Sequence, residues 1–243
     1  MEEIEILIKS FLRPNAVLAC IDSIRKFYPK ITISVCDDGV LTQVDKANNA
    51  YTLPYYSGHS VGRNYLLSLC RKPYFFMCDD DMLFTKETDL EKLLKVAKGQ
   101  NNIGIVGLKV DDVKLGIKAG PGHLKVTYGP EGRIIRRIFY GPKAPVHVIA
   151  GVQAIPCRIV PHSFLGNTHL FREWGVKWRD ELKRCSHLPF FLDFPKKLKI
   201  YCVPEVTISH YHESNEDFDR YKNDDIYKRM TCERKIVYER QYE

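Results

Sequence analysis

Between Tyr74 and Cys78 five apolar residues run without interruption, and three aspartates follow at once, in the segment YFFMCDDDMLFT. A short, wholly apolar run of this kind fits a strand covered on both faces, as in a parallel sheet. Further strands are expected at Ile4–Lys9, at Ile31–Cys36, which alternates, and at Ile103–Val110. Helical patterns separate them. Val17, Ile21, Ile24 and Phe27 recur at helical spacing and stop before Pro29, and a second helix is expected from about Gly62 to Cys70. Thr88-Asp89-Leu90-Glu91 reads as a capping box that opens a third, ending near Lys98. Strands alternating with helices predict an α/β fold, a mostly parallel sheet with helices on both faces.

Residues 113–153 change character. Gly116, Gly120, Gly122, Gly129, Gly132 and Gly141 punctuate short β-like runs such as IIRRIFY and VHVIAGV, which predicts an antiparallel insert. Phe164–Trp174 suggests a strand turning into a helix, and Pro189–Lys197 a short helix. Ile200–Val203 and Val206–His210 read as brief strands. The charged tail after His212 carries Phe218, Tyr221, Tyr227, Met230 and Val237 on a loose helical stripe. No linker is visible, so 1–243 is expected to be one domain: a nucleotide-binding half (1–112), an acceptor-side half (113–212) and a helical tail (213–243).

A hydrophobic content of 44% with 28% charged residues excludes disordered, collagen-like and coiled-coil chains. The net charge is +7, and Glu213–Glu243, with seven basic and nine acidic residues, leaves +9 on the rest. A basic surface of that size suits a nucleotide diphosphate or another polyanion. The eight cysteines form no CxxC pair and sit largely in apolar segments, which predicts reduced thiols. The opening MEEIEILIKSF has no basic leader, and no apolar run approaches the ~18 residues of a membrane span. The expectation is a cytoplasmic protein.

Three adjacent carboxylates at the end of a buried strand repel one another unless a cation joins them. A divalent ion shared between Asp79-Asp80-Asp81 and substrate phosphates would account for the run. Helix capping is the plainer alternative, but the segment at Thr88 already supplies it. Asp37-Asp38-Gly39 ends another strand, where the residues suit either a tight turn or recognition of a base or ribose. Ser60-Val61-Gly62-Arg63-Asn64 opens a helix with an arginine, a workable anion site. His210-Tyr211-His212 follows the last core strand, where a histidine either ligates a metal or serves structure.

Taken in this order, the segments resemble the GT-A glycosyltransferases, nucleotide-sugar enzymes with a Rossmann-like sheet and an Asp-x-Asp metal motif. Within them the chain is similar to family-2-like enzymes and to the β-1,4-N-acetylgalactosaminyltransferases. IKSFLRPNAVLACIDSI resembles their opening strand and helix, ISVCDDG the base-recognition strand end, and GHSVGRNYLL the Gly-Arg-Asn helix start. YFFMCDDDMLFT resembles the metal segment, FREWGVKWRDELKRCSHLPFFLDF the acceptor side, and VTISHYH the closing strand. The resemblance implies that Asp81 and His210 hold Mn²⁺ or Mg²⁺. It places Asp80 at the ribose or a metal-bound water, with Asp79 supporting the loop. Asp37 and Asp38 would read the base, Arg63 would sit near the nucleotide, and Ser10, Phe11 and Arg13 would line the base pocket. A nucleoside diphosphate sugar, foremost a UDP-sugar, would be the donor, and a hydroxyl on a glycan the acceptor.

One departure bears on mechanism. The family pattern has a carboxylate before the paired aromatics, where it deprotonates the acceptor, and here Pro189 precedes Phe190-Phe191. Asp193, one helical turn further, is the expected substitute base, with Glu181 behind it and Asp180 as a weaker choice. The gap leaves open a retaining reaction in which the leaving phosphate takes the proton. A nucleic-acid acceptor, a nucleotidyltransferase and a catalytically impaired nucleotide-sugar-binding module stay open as rivals.

Overall fold

Alternate residues of each run enter two different cores, which is why β4 (Tyr74–Asp79) is apolar on both faces up to its final aspartate. Ile4, Ile6, Ile8, Tyr74, Phe76 and Cys78 face one core, while Leu7, Phe75 and Met77 face the other. Fully burying side chains of this size contributes about 1.5–3 kcal/mol each. The structure is a computed structural model and describes residues 1–39, 44–129, 132–141, 143–183, 187–211, 216–222 and 234–240.

The first half contains β1 (Ile4–Ser10), α1 (Pro14–Phe27), β2 (Thr32–Asp37), β3 (Asn49–Thr52), α2 (His59–Leu69), β4 (Tyr74–Asp79), β5 (Met82–Leu83), α3 (Leu90–Lys98) and β6 (Ile103–Asp112). Next come β7 (Ile117–Ala119), β8 (Gly122–Gly129), β9 (Gly132–Phe139), β10 (His147–Ile149), β11 (Val152–Cys157) and β12 (Phe164–Asn167). The remainder is α4 (Thr168–Glu173), α5 (His187–Asp193), β13 (Lys199–His210), α6 (Glu216–Lys222) and β14 (Arg234–Arg240).

The main sheet runs β10-β11-β13-β6-β12-β4-β1-β2-β3. Strands β3, β2, β1 and β4 are mutually parallel, as are β6 and β13, and β12 lies antiparallel between the two groups. Helices α1 and α3 cover the first core, and α2, α4 and α5 the second. This is the expected α/β architecture with both faces covered. The insert is also present. Strands β8 and β9 form a hairpin, and β10 and β11 another, turned by Ala150-Gly151 with φ of 48° and 79°. Two residues at positive φ are what a type I′ turn requires, and glycine meets that at no steric cost.

Several boundaries differ from the sequence expectation. Asp89, not Thr88, caps α3: its carboxylate accepts from Lys92 N, while Thr88 donates to the Thr207 carbonyl. Helix α2 begins at His59, three residues before Gly62, and α5 spans His187–Asp193 rather than 189–197. The two brief strands after residue 199 are one strand, β13, with a register shift between Cys202 and Thr207. Pro204 has no N–H for the ladder there. Among the described residues of the tail, Glu216–Lys222 form α6, and Val237 lies in β14, which pairs in parallel with β9. Tyr227, Met230 and His212 lie outside the described residues. The six described cysteines are buried free thiols, and among described residues no helix is long and apolar enough to cross a membrane.

Candidate active site

Parallel register brings the acidic strand ends together. Ser10 is paired with Asp37, and Lys9 with Asp79, so the ends of β1, β2 and β4 form one rim. The aspartate loop is then tied to the far end of the sheet. Strand β5 pairs with the end of β13, placing His210 beside Met82, and Tyr211 N donates to the Asp81 carbonyl at 2.8 Å. Asp112, ending β6, is the register partner of His210.

His210 Nε2 lies 3.2 Å from Asp81 Oδ2, and His210 Nδ1 lies 3.2 Å from Asp112 Oδ2. Two ligands at right angles, each ~2.1 Å from one ion, stand about 3 Å apart, so Asp81 and His210 fit adjacent positions on a divalent cation. Asp112 would hold the imidazole in the tautomer whose lone pair points at that position. Among the described residues no group of three His, Cys, Asp or Glu side chains could hold an ion by itself. The donor set therefore fits a metal completed by substrate phosphate and water.

Arginine balances the charge in this state. Arg13 bonds Asp81 Oδ2 at 2.6 Å and also pairs with Asp80. Asp79 pairs with Arg63. Burial pushes the Asp80 carboxyl up to about 7 despite Arg13, with Asp81 and Asp79 adding repulsion, and its Oδ2 is buried without a partner. Burial also raises Asp81 and Asp79, but the hydrogen bond from His210 and the charge of Arg13 hold Asp81 at about 2, and Arg63 holds Asp79 at about 2. The sign for Asp80 follows from proton counts. Between its unfolded value and about 7 the folded state binds more protons, so stability falls as pH rises through that window. In metal-free protein Asp80→Asn should thus match wild type near pH 4 and melt several degrees higher near pH 8, by roughly 4 °C per kcal/mol for a chain of this size. Melting curves across that range check this; a gap independent of pH would refute it.

The expected base pocket is lined by aromatics. Phe11 has Tyr55, Tyr56 and Tyr221 around it, with ring centroids at 5.8, 5.6 and 5.2 Å. Arg13 stacks over Phe218 at 4.3 Å, so α6 packs against Phe11 and Arg13. Asp38 pairs with the buried Lys9 and accepts from Gly58 N at 2.6 Å, while Asp37 Oδ1 accepts from Gly39 N at 2.7 Å. Lys9, Asp112, Tyr55, Tyr56 and Tyr221 were not expected from sequence. A strand lysine reads as an edge residue, and the tyrosines meet only through folding.

The acceptor-side residues sit apart from this cluster. Asp193 is held by Arg179 through both oxygens, at 2.6 and 2.8 Å. Asp180, Glu181 and Asp193 line a cavity of about 390 Å³ with Trp174, Trp178 and Phe190. Pro189 is buried within α5. Arg63, fully buried, is bonded to Asp79 and lies over the Trp178 ring at 5.5 Å, which ties α2 to the acceptor side. Sequence reasoning passed over three histidines: His59 and His162 stand beside Asp79, and His187 stacks on His162.

The fold and the aspartate loop define a class. The sequence model of Glycosyl transferase family 2 matches residues 5–151, and the chain belongs to that family. Among curated relatives, the rat Beta-1,4 N-acetylgalactosaminyltransferase 1 is 31% identical over 205 residues, covering 83% of this chain and 38% of its own length. The human protein of the same name is 30% identical over 217 residues, covering 85% and 38%. The chain thus spans about two fifths of the length of the curated relatives it matches. Among solved structures, S. aureus TarS 1–349 in complex with UDP-GlcNAc has a TM-score of 0.64 over 96% of this chain and 65% of that one. At 13% identity that likeness concerns the fold, which is the GT-A type the sequence implied.

Proposed function

We propose that this domain is a metal-dependent glycosyltransferase that moves a sugar from a UDP-sugar to a hydroxyl of a glycan. The observation that carries the reading is the Asp81–His210–Asp112 chain at the end of the aspartate loop. Asp81 and His210, with the donor diphosphate, would hold Mn²⁺ or Mg²⁺. When bound, the ion would offset charge developing on the leaving diphosphate. Asp38, with Ser10, Phe11 and Arg13 beside it, receives the base, and Asp80 the ribose. The names of the curated relatives support an N-acetylgalactosamine donor, and the UDP-GlcNAc complex of the TarS neighbour supports a uridine nucleotide. Six buried free thiols support a reducing, cytoplasmic setting.

Two measurements test this. UDP should raise the melting temperature only when Mn²⁺ or Mg²⁺ is present, and UDP should be released from UDP-GalNAc or UDP-GlcNAc. Equal UDP binding with and without metal would overturn the metal role. Absence of release from either sugar would overturn the transfer reading.

A further inference from the structure

Transfer to a hydroxyl needs a proton acceptor, and the side chains that touch the aspartate loop narrow the choice. Arg13 and Arg63 carry no lone pair, and His210 faces Asp81 and Asp112. Asp193 has both oxygens in the pair with Arg179. The histidines around Asp79 remain.

His59 Nε2 lies 3.5 Å from Asp79 Oδ1, and His162 Nδ1 lies 3.7 Å from Asp79 Oδ2. The His162 ring stacks on His187 at 3.8 Å with 21° between the planes. His187 opens α5 and is itself backed edge-on by Phe191 at 5.1 Å. His162 Nδ1 is buried and turned to the carboxylate, yet the side chain is 44% accessible. A proton on Nδ1 faces the negative charge, which leaves the Nε2 lone pair for the open side of the ring. Burial lowers His162, against the pull of Asp79 and with Arg63 and Arg137 adding, so the ring is neutral and keeps a lone pair at neutral pH. Asp79, paired with Arg63, faces the Nδ1 side of the ring, where a carboxylate would stabilise the imidazolium as it forms.

We propose that His162 is the catalytic base, with Asp79 fixing its ring and tautomer; the proposal rests on the glycosyltransferase reading. As the acceptor oxygen bonds to the anomeric carbon, its proton passes to His162 Nε2. The bond from that carbon to the diphosphate oxygen breaks, and its electron pair leaves with the nucleoside diphosphate. The imidazolium then returns the proton to solvent.

The test uses water as the acceptor and reads UDP release from UDP-GalNAc and UDP-GlcNAc in Mn²⁺. His162→Gln and His162→Ala should slow release by roughly 10²–10⁴-fold, the span of a general base, with UDP affinity by calorimetry unchanged. Added imidazole should restore part of the rate in His162→Ala, a rescue that a structural role would not show and that reads only folded protein. Undiminished release from the variants would overturn this assignment alone, as would loss of UDP affinity in step with rate. Loss confined to Asp193→Asn would overturn it in favour of that carboxylate. No release from the wild type would remove the glycosyltransferase reading and the base with it.

Discussion

Asp81→Asn is expected to slow UDP release by at least 10²–10³-fold, the usual loss when a group facing developing charge is removed, and to erase the Mn²⁺ dependence of UDP binding. The substitution keeps the shape of the side chain and one oxygen but removes the charge that a hard cation prefers. It has a second consequence. Asp81 is the one carboxylate bonded to both Arg13 and His210, which together hold it at about 2 against burial. A carboxyl with a depressed folded value contributes stability above its unfolded value and loses it as pH falls toward the folded one. Metal-free Asp81→Asn should therefore melt below wild type at neutral pH, with the gap closing between about pH 4 and pH 2. The opposite sign is expected for its neighbour Asp80, whose value burial raises. Two adjacent aspartates thus separate by experiment: on this expectation one would serve stability and metal together, and the other would be held at a cost to stability. An Asp81→Asn protein with wild-type metal dependence would move the cation site elsewhere on the loop.

Those acids were legible in the sequence because a buried apolar strand ending in carboxylates has few physical explanations. His210 was legible for the same reason, at the end of a strand that closes the sheet. Asp112 was not: an aspartate pair after a long strand reads as a turn, and only the β6–β13 register gives it a partner. The histidines at 59, 162 and 187 come from three separate segments, two of them beside Asp79 and the third stacked on His162, so no local spacing announced them. Boundaries failed where two signals competed. Thr88 and Asp89 are both good caps, and packing chose the second because the Thr88 hydroxyl reaches the Thr207 carbonyl. In the tail, Lys235-Ile236-Val237-Tyr238-Glu239 shows no alternation, and its pairing with β9 lies a hundred residues away in sequence. The GT-A class could be recognised from segments in order, whereas the orientation of α6 over Phe11 and Arg13 could not.

Lys9→Met is expected to cost about 3–5 kcal/mol, because it strands the buried Asp38 carboxylate without its cation. Both side chains are 1% exposed. The stem of Lys9 also packs against α2 where Gly62 leaves room for it: a Cβ there would stand 2.1 Å from Lys9 Cδ. Methionine keeps most of that stem, so the loss should be electrostatic rather than a cavity. Asp38→Asn should be destabilising for the mirror reason, leaving an unpaired lysine. Joined in one chain, Lys9→Met and Asp38→Asn should recover most of the loss, since a buried ion pair is often no more stable than its neutral replacement. Urea unfolding of the four proteins measures the coupling directly. Strictly additive losses would show that the pair is not acting as a unit. The double variant then separates fold from ligand. If Asp38 accepts hydrogen bonds from the base, with Gly58 N held on Oδ2 at 2.6 Å, the stable double variant should still bind UDP at least tenfold more weakly, about 1.4 kcal/mol. Wild-type UDP affinity in that variant would assign the pair to architecture alone and move base recognition to Asp37 and the aromatic wall around Phe11.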